Sequence, residues 1–261
     1  MRIAYYVDDF SDPWKRGRNL LLLHSAMGSA RRFYSMVPGL ARDYRVLRMD
    51  LRGHGNSQVP LENVPFDLQR LVDDALELLD YLKIDKVHIV GNSAGGYVTQ
   101  QLAIQHPERV LSICLFGSTP GLKQSAAASW IPQVEAKGLR TFLAETISDR
   151  FPADQVDPRL IDWFLDEAAK NDPAFIKRFI LHMTTVDFMD DIGRIKCPTL
   201  IVGPGAEPIG HAGAYEEMSK RIAGAELVYY ENARHNVCDY LPERCVSDVL
   251  GFLGRHFPQT S

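Results

Sequence analysis

Short apolar runs alternate along this chain with longer stretches that have helical spacing. The short runs predict seven strands, at residues 3–7, 20–24, 44–49, 87–90, 111–116, 199–202 and 226–230. The longer stretches predict helices at residues 33–37, 67–82, 96–106, 214–222 and 242–256. This alternation is typical of an α/β protein in which helices flank a mostly parallel central sheet.

The middle of the chain has no strand-like run. Residues 121–194 contain four helical pieces instead, at 126–137, 139–149, 158–171 and 173–185. We therefore predict a core domain made of residues 1–120 and 195–261, with a helical cap at 121–194 inserted over one end of the sheet. Most aromatic residues of the cap must attach it to the core. Trp130 and Trp163 are candidates for lining a substrate pocket, together with Met27.

Composition and charge narrow the classes of function. The chain has 261 residues, is 46% hydrophobic and 24% charged, and carries a net charge of -4, so neither nucleic acid nor an anionic membrane is an expected partner. No apolar stretch approaches the roughly 20 residues that span a bilayer. Asp8 and Asp9 interrupt the amino-terminal apolar run, which therefore does not predict a signal peptide. The four cysteines are scattered and form no C-x-x-C pair, so we expect a cytoplasmic protein with reduced thiols. We expect neither a metal nor an organic cofactor.

A serine between glycines follows the fourth predicted strand. The stretch Gly91-Asn92-Ser93-Ala94-Gly95 joins the apolar run 87–90 to the predicted helix 96–106. G-x-S-x-G occurs by chance in many chains, but a strand before it and a helix after it make it specific. Such a corner is a nucleophile elbow, which strains the serine backbone and presents the hydroxyl to a base. Ser93 is therefore the candidate nucleophile.

A serine hydroxyl needs an adjacent base, normally a histidine that a carboxylate holds in place. His235 follows the last predicted strand and precedes the last helix, which makes it the candidate base. Glu207 is the only carboxylate in the loop after predicted strand 199–202 and is the candidate acid. Asp239 is the reserve acid. His211 has two open roles, substrate contact or solvent exposure.

The negatively charged oxygen that forms when a serine attacks a carbonyl also needs hydrogen-bond donors. One predicted donor is the backbone N–H of Ala94, directly after the nucleophile. The other is the N–H of Ala26, in the loop after the second strand, with Ser25 and Met27 as alternatives. Met27 also carries a flexible apolar side chain that is placed to meet an acyl group.

Four blocks of the chain resemble the α/β-hydrolase fold family: His24-Ser25-Ala26-Met27-Gly28, Asp50-Leu51-Arg52-Gly53-His54-Gly55-Asn56-Ser57, Gly91-Asn92-Ser93-Ala94-Gly95-Gly96 and Ala233-Arg234-His235. The order Ser93, Glu207, His235 is similar to that of the family's catalytic residues. The resemblance implies an architectural role for the second block. Ser25 stands where the family usually has glycine, and Glu207 stands where aspartate is usual.

Within the family, the chain looks similar to small capped hydrolases that include 3-oxoadipate enol-lactonases, carboxylesterases and C–C bond hydrolases. The first hypothesis is therefore hydrolysis of a small-molecule ester or lactone through an acyl-enzyme. The second is cleavage of a C–C bond in a vinylogous diketone, for which Arg31, Arg32 and Arg178 are candidates to hold the dienolate. The third is a non-catalytic ligand sensor on the same scaffold. A homodimer is left open.

Overall fold

A computed structural model describes residues 1–14, 17–123, 125–210 and 213–258. Its centre is one sheet of seven strands: β1 (Tyr5–Asp8), β2 (Arg18–Leu23), β3 (Tyr44–Met49), β4 (Val87–Asn92), β5 (Val110–Phe116), β6 (Thr199–Pro204) and β7 (Glu226–Tyr230). The strand order is β1-β3-β2-β4-β5-β6-β7. Only β1 pairs antiparallel with its neighbour, and the other pairs are parallel. The prediction of a mostly parallel α/β sheet is confirmed.

Helices cover both faces of this sheet, because its central strands carry buried apolar side chains on both faces. On β2, Leu21 and Leu23 face one core layer, whereas Leu20 and Leu22 face the other, and all four are fully buried. The first layer is covered by α2 (Leu68–Tyr81), α3 (Ala94–Gln105) and α8 (Ala214–Arg221). The second layer is covered by α1 (Val37–Leu40), α9 (Val237–Tyr240) and α10 (Pro242–His256).

The helix predicted at residues 33–37 is wrong in extent. A 3-10 turn at Ala30–Phe33 and the short α1 occupy this stretch instead. Pro38 stands in the first turn of α1, where its missing N–H needs no partner. Proline cannot stand inside a helix without breaking a hydrogen bond, so α1 begins beside it and no helix runs through from residue 33.

Between β5 and β6 the chain forms α4 (Trp130–Lys137), α5 (Leu139–Glu145), α6 (Pro158–Ala169) and α7 (Pro173–Met183). The side chains of Asp157 and Asp172 cap α6 and α7, and a proline follows each of them. These helices share a third apolar cluster that contains Phe142, Phe151 and Phe164 and also reaches Met27. The division into a core of residues 1–120 and 195–261 and a cap of residues 121–194 stays a prediction.

The D-x-R-G-x-G-x-S block after β3 is held by its own polar groups. Asp50 accepts hydrogen bonds from the N–H groups of Ala30 and Asn56, at 2.6 and 2.9 Å. Arg52 forms a bidentate ion pair with Asp74, at 2.7 and 2.8 Å. His54 is buried against the rings of Phe175 and Phe179. These contacts brace the loop beside the sheet.

In the described ranges, no helix has both the length and the apolar character needed to cross a membrane.

Candidate active site

Ser93 occupies the corner between β4 and α3 in a backbone conformation that is rare for a residue with a side chain. Its φ is 51° and its ψ is -117°. Hydrogen bonds on both sides hold it there: its N–H donates to the carbonyl of Phe116 at 2.9 Å, and its carbonyl accepts from Ser118 Oγ at 2.8 Å. Strain of this kind persists only where the surroundings fix the backbone, and it is common at reactive residues.

The glycines around Ser93 are required by close packing. A Cβ on Gly95 would lie 2.1 Å from the carbonyl oxygen of Leu23, and one on Gly91 would lie 2.6 Å from the Cα of Gly96. Backbone atoms cannot move aside as a flexible side chain can. Only glycine therefore lets the first turn of α3 pack this closely against β2 and β4.

The structure brings the three predicted residues of the triad together. His235 Nε2 lies 2.9 Å from Ser93 Oγ, and His235 Nδ1 lies 2.7 Å from Glu207 Oε2. All three lie at the carboxyl edge of the parallel sheet. Ser93 follows β4, Glu207 follows β6 and His235 follows β7. The reserve acid Asp239 does not reach His235, because its carboxylate pairs with Arg32. His211 lies outside the described residues.

Glu207 is buried and fully engaged. Its Oε1 accepts from the N–H groups of Ile209 and Gly210, at 2.7 and 3.0 Å, and its side chain is only 6% exposed. Burial alone would raise the pKa of this carboxyl group. The charge and hydrogen bond of His235 and the two N–H donors together outweigh burial and bring the pKa below its usual value. Glu207 is therefore ionised at neutral pH and orients His235.

The predicted oxyanion donors line the same cavity as Ser93. Ala94 begins α3, and Ala26 lies in the turn after β2. In the described part of the chain, the N–H groups of these two residues donate to no protein acceptor. Met27 has a φ of 58°, and its carbonyl accepts from Asn171 Nδ2 at 3.0 Å, so a residue that follows α6 fixes this turn.

Ser25 stands where the family usually has glycine in this loop, and its side chain has a hydrogen-bond partner. Its hydroxyl accepts a hydrogen bond from Arg32 Nη1, and Arg32 is in turn paired with Asp239 through two nitrogen atoms. The side chains of Arg32 and Asp239 are 5% and 1% exposed. A buried ion pair therefore ties the loop of the predicted oxyanion donor Ala26 to α9, which begins two residues after His235.

The cavity beside Ser93 has a volume of about 50 Å³. Two of the three candidate pocket residues, Met27 and Trp130, line it, together with Phe164, Arg32 and Arg150. Trp163 does not, because it lies one position before Phe164 on α6, about 100° around the helix. Its ring packs against Tyr34 at 5.0 Å in a separate surface groove, so the structure places this predicted pocket residue away from Ser93.

The other arginines considered for a dienolate lie elsewhere. Arg31 pairs with Glu167 at 2.7 Å, and Arg178 donates to the backbone carbonyls of Leu61 and Val64. Sequence reasoning missed Arg150, which has no motif around it. Among the residues that the structure describes, no group of three His, Cys, Asp or Glu side chains is arranged to hold a metal ion.

Comparisons with known proteins agree with this architecture. The family described as the alpha/beta hydrolase fold matches residues 18–153. The 3-oxoadipate enol-lactonase 1 of Acinetobacter baylyi is 32% identical over 229 residues, which are 83% of this chain and 81% of that protein. A pimeloyl-[acyl-carrier protein] methyl ester esterase from Aeromonas hydrophila is 28% identical over 254 residues, covering 92% and 96% of the two chains.

Among solved structures, a hydrolase from Pseudomonas aeruginosa PA01 superimposes with a TM-score of 0.85 at 29% identity. The match covers 97% of this chain and 94% of that one. The family match covers more than half of the chain. In the structure a parallel strand precedes Ser93 and a helix follows it, as the sequence predicts. The chain belongs to the α/β hydrolase fold family.

Proposed function

We propose that this protein is a serine hydrolase that cleaves a carboxylic ester or lactone of a small molecule through an acyl-enzyme. The observation that carries the proposal is the chain of contacts from Ser93 through His235 to Glu207, at 2.9 and 2.7 Å. A carboxylate can only accept a hydrogen bond, so Nδ1 of the neutral imidazole carries the proton. Nε2 is then free to accept the proton of the Ser93 hydroxyl.

Acylation begins when Ser93 Oγ attacks the substrate carbonyl and His235 Nε2 takes the hydroxyl proton. The N–H groups of Ala26 and Ala94 donate to the oxygen that becomes negative, and Glu207 stabilises the imidazolium. Collapse of the tetrahedral intermediate breaks the bond to the alkoxy group, which receives the proton from His235. In a lactone, the same oxygen stays attached to the acyl group.

Deacylation repeats these steps with water. His235 removes a proton from a water molecule, which attacks the acyl carbonyl, and the same two N–H groups hold the oxyanion. Collapse returns the proton to Ser93 Oγ and releases a carboxylic acid. The named relatives support this reaction class, because one is an enol-lactonase and another is a methyl ester esterase.

The experiment compares wild type with Ser93→Ala on 4-nitrophenyl acetate. We expect turnover to disappear in the variant, while its urea unfolding midpoint shows that it is folded. Ser219→Ala is the matched control, because that hydroxyl lies on α8 and donates to the carbonyl of Glu216, away from the cavity. Undiminished turnover by Ser93→Ala would overturn the proposal.

A fluorophosphonate probe separates the enzyme from a ligand sensor on the same scaffold. An aligned triad makes Ser93 reactive toward the probe, so wild type and Ser219→Ala should label, and Ser93→Ala should not. A folded wild-type protein that resists the probe and turns over no ester would favour the sensor. A homodimer and a cytoplasmic location stay predictions.

Cleavage of a C–C bond in a vinylogous diketone is the second candidate function. The observation that favours it is the guanidinium of Arg32 in the cavity lining, where a cation would stabilise a dienolate. Its pairing with Asp239 weakens this argument, because the carboxylate already neutralises the charge. Loss of absorbance from a ring-fission dienol, without turnover of simple esters, would favour this function over ester hydrolysis.

A further inference from the structure

Arg150 is a buried cation in the wall of the candidate active site. It directly follows the 3-10 turn Ile147–Asp149, is 6% exposed and lines the cavity that contains Ser93 and His235. Its backbone carbonyl accepts from the N–H of Asn236 at 3.0 Å. Arg150 therefore stands at the point where the segment between β5 and β6 meets the loop of the candidate base.

The guanidinium of Arg150 is only partly satisfied by the protein. Nη1 donates to the carbonyl and the hydroxyl of Thr146, at 3.1 and 2.9 Å. Within the described ranges, no carboxylate forms an ion pair with it, and no protein acceptor takes the N–H groups of Nε and Nη2. Its Cζ lies 5.6 Å from the ring centre of Trp130 and 5.9 Å from that of Phe142, so aromatic faces surround the charge.

The neighbouring charges do not neutralise Arg150. Arg32, on the same cavity, is bound by Asp239, and Glu207 is bound to His235. Asp149 is half-buried and acts on Arg150 only at longer range. Burial lowers the pKa of Arg150 to about 10, which still leaves the guanidinium charged at neutral pH. A buried charge is unfavourable unless an opposite charge binds it.

We propose that Arg150 binds a carboxylate group of the substrate, so that the natural substrate is an ester or lactone that also carries a free carboxylate. This inference rests on the proposed hydrolase function and names its substrate class. An arginine presents a fork of N–H donors that matches a carboxylate, and the two nitrogens without protein acceptors supply it. The small cavity favours a short spacer between the carboxylate and the carbonyl that Ser93 attacks.

A matched pair of substrates tests the inference. Monomethyl succinate and methyl butanoate are the same methyl ester, except that a carboxylate in the first replaces a methyl group in the second. Two charge-assisted hydrogen bonds should give wild type a kcat/KM roughly 10- to 100-fold higher for monomethyl succinate. Acid release in a pH-stat measures both reactions without a chromophore.

Substitution of Arg150 should remove this preference selectively. Arg150→Met is expected to lower kcat/KM for monomethyl succinate by about 10- to 100-fold more than it lowers kcat/KM for methyl butanoate. Arg150→Lys keeps the charge but loses the fork, so part of the preference should remain. Arg140→Met is the control, because Arg140 lies in the same segment and pairs with Asp166 on the surface.

The outcomes separate the two proposals. If neither ester is hydrolysed and the fluorophosphonate probe does not label Ser93, the hydrolase function fails. If methyl butanoate is hydrolysed through Ser93 but wild type does not prefer monomethyl succinate, only the carboxylate subsite fails. An equal loss on both esters in folded Arg150→Met would also overturn the subsite, since Arg150 would then serve the reacting carbonyl. The wild-type comparison decides the question even if Arg150→Met does not fold.

Discussion

Replacing Glu207 with glutamine should reverse the direction of hydrogen bonding at His235. In the native site Oε1 accepts from the N–H groups of Ile209 and Gly210, and Oε2 faces His235 Nδ1. A glutamine amide has one acceptor oxygen and one donor NH₂ group. The two backbone donors require the oxygen, so the NH₂ group must face Nδ1, and Nδ1 must accept.

An accepting Nδ1 carries no proton, so the neutral imidazole holds its proton on Nε2. That nitrogen lies 2.9 Å from Ser93 Oγ and can no longer take the hydroxyl proton. The corresponding acid-to-amide change in a serine protease lowers kcat roughly 10⁴-fold. A loss of that order, about 5 kcal/mol of transition-state stabilisation, is expected for Glu207→Gln.

Glu207→Asp separates the charge from the distance. Aspartate keeps the negative charge but withdraws the carboxylate by about 1.5 Å, one C–C bond. The contact of 2.7 Å with His235 Nδ1 then opens beyond hydrogen-bond range. A hydrogen bond to a charged group contributes about 1.5–3 kcal/mol, so kcat/KM should fall roughly 10- to 100-fold.

Release of 4-nitrophenolate from 4-nitrophenyl acetate measures all three enzymes, and the expected order is wild type, then Glu207→Asp, then Glu207→Gln. Glu216→Gln is the control, because Glu216 is an exposed carboxylate in the first turn of α8 and should tolerate the same change. If Glu207→Gln kept more than about a tenth of wild-type kcat/KM, the tautomer argument would be refuted.

Two further predictions concern buried charge. Asp239→Asn leaves Arg32 buried without a carboxylate and should lower the free energy of unfolding by about 3–5 kcal/mol; an unchanged urea midpoint would contradict this. Burial and the charge of Arg18 lower the pKa of His88 from 6.5 to about 4 in the folded protein. Between these two pH values the unfolded chain binds the proton and the folded protein does not, so the free energy of unfolding decreases as the pH falls from 6.5 toward 4. Between pH 6.5 and 5, wild type should lose about 1.5 kcal/mol more than His88→Gln, and equal losses in urea titrations at the two pH values would disprove it.

The arrangement of Ser93, His235 and Glu207 was predictable because it depends on chain topology. The carboxyl ends of the parallel strands lie at one edge of the sheet, so the loops after β4, β6 and β7 meet there however far apart they are in the chain. The glycines around Ser93 gave a second indication of the elbow, because Gly95 packs so closely against the backbone of Leu23 that no side chain fits there. Local pattern and topology therefore pointed to the same three side chains.

Side chains of the inserted helices were harder to assign. On α6, Phe164 lines the cavity and Trp163 does not, although the two residues are adjacent. The helical period contained the distinction: Phe164, Leu165 and Ala168 form the buried stripe, and Trp163 lies outside it. Counting aromatic residues without following that stripe put Trp163 in the pocket. The phase of each helix decides which of its aromatic residues faces the cavity.

Arg150 could not be identified from the sequence, because its proposed role depends on which groups surround its guanidinium in the folded protein. A charged residue after Ser148 and Asp149 predicts a solvated turn, and its burial results from α4, α5 and the loop of His235 meeting only in the folded chain. Arg32 shows the alternative within the same cavity: it is equally buried, and Asp239 neutralises it. Two arginines line the cavity beside Ser93, and the protein supplies a carboxylate to one of them. If the other binds a carboxylate of the substrate as we propose, this difference would give the cavity a preference among esters that the triad alone does not have.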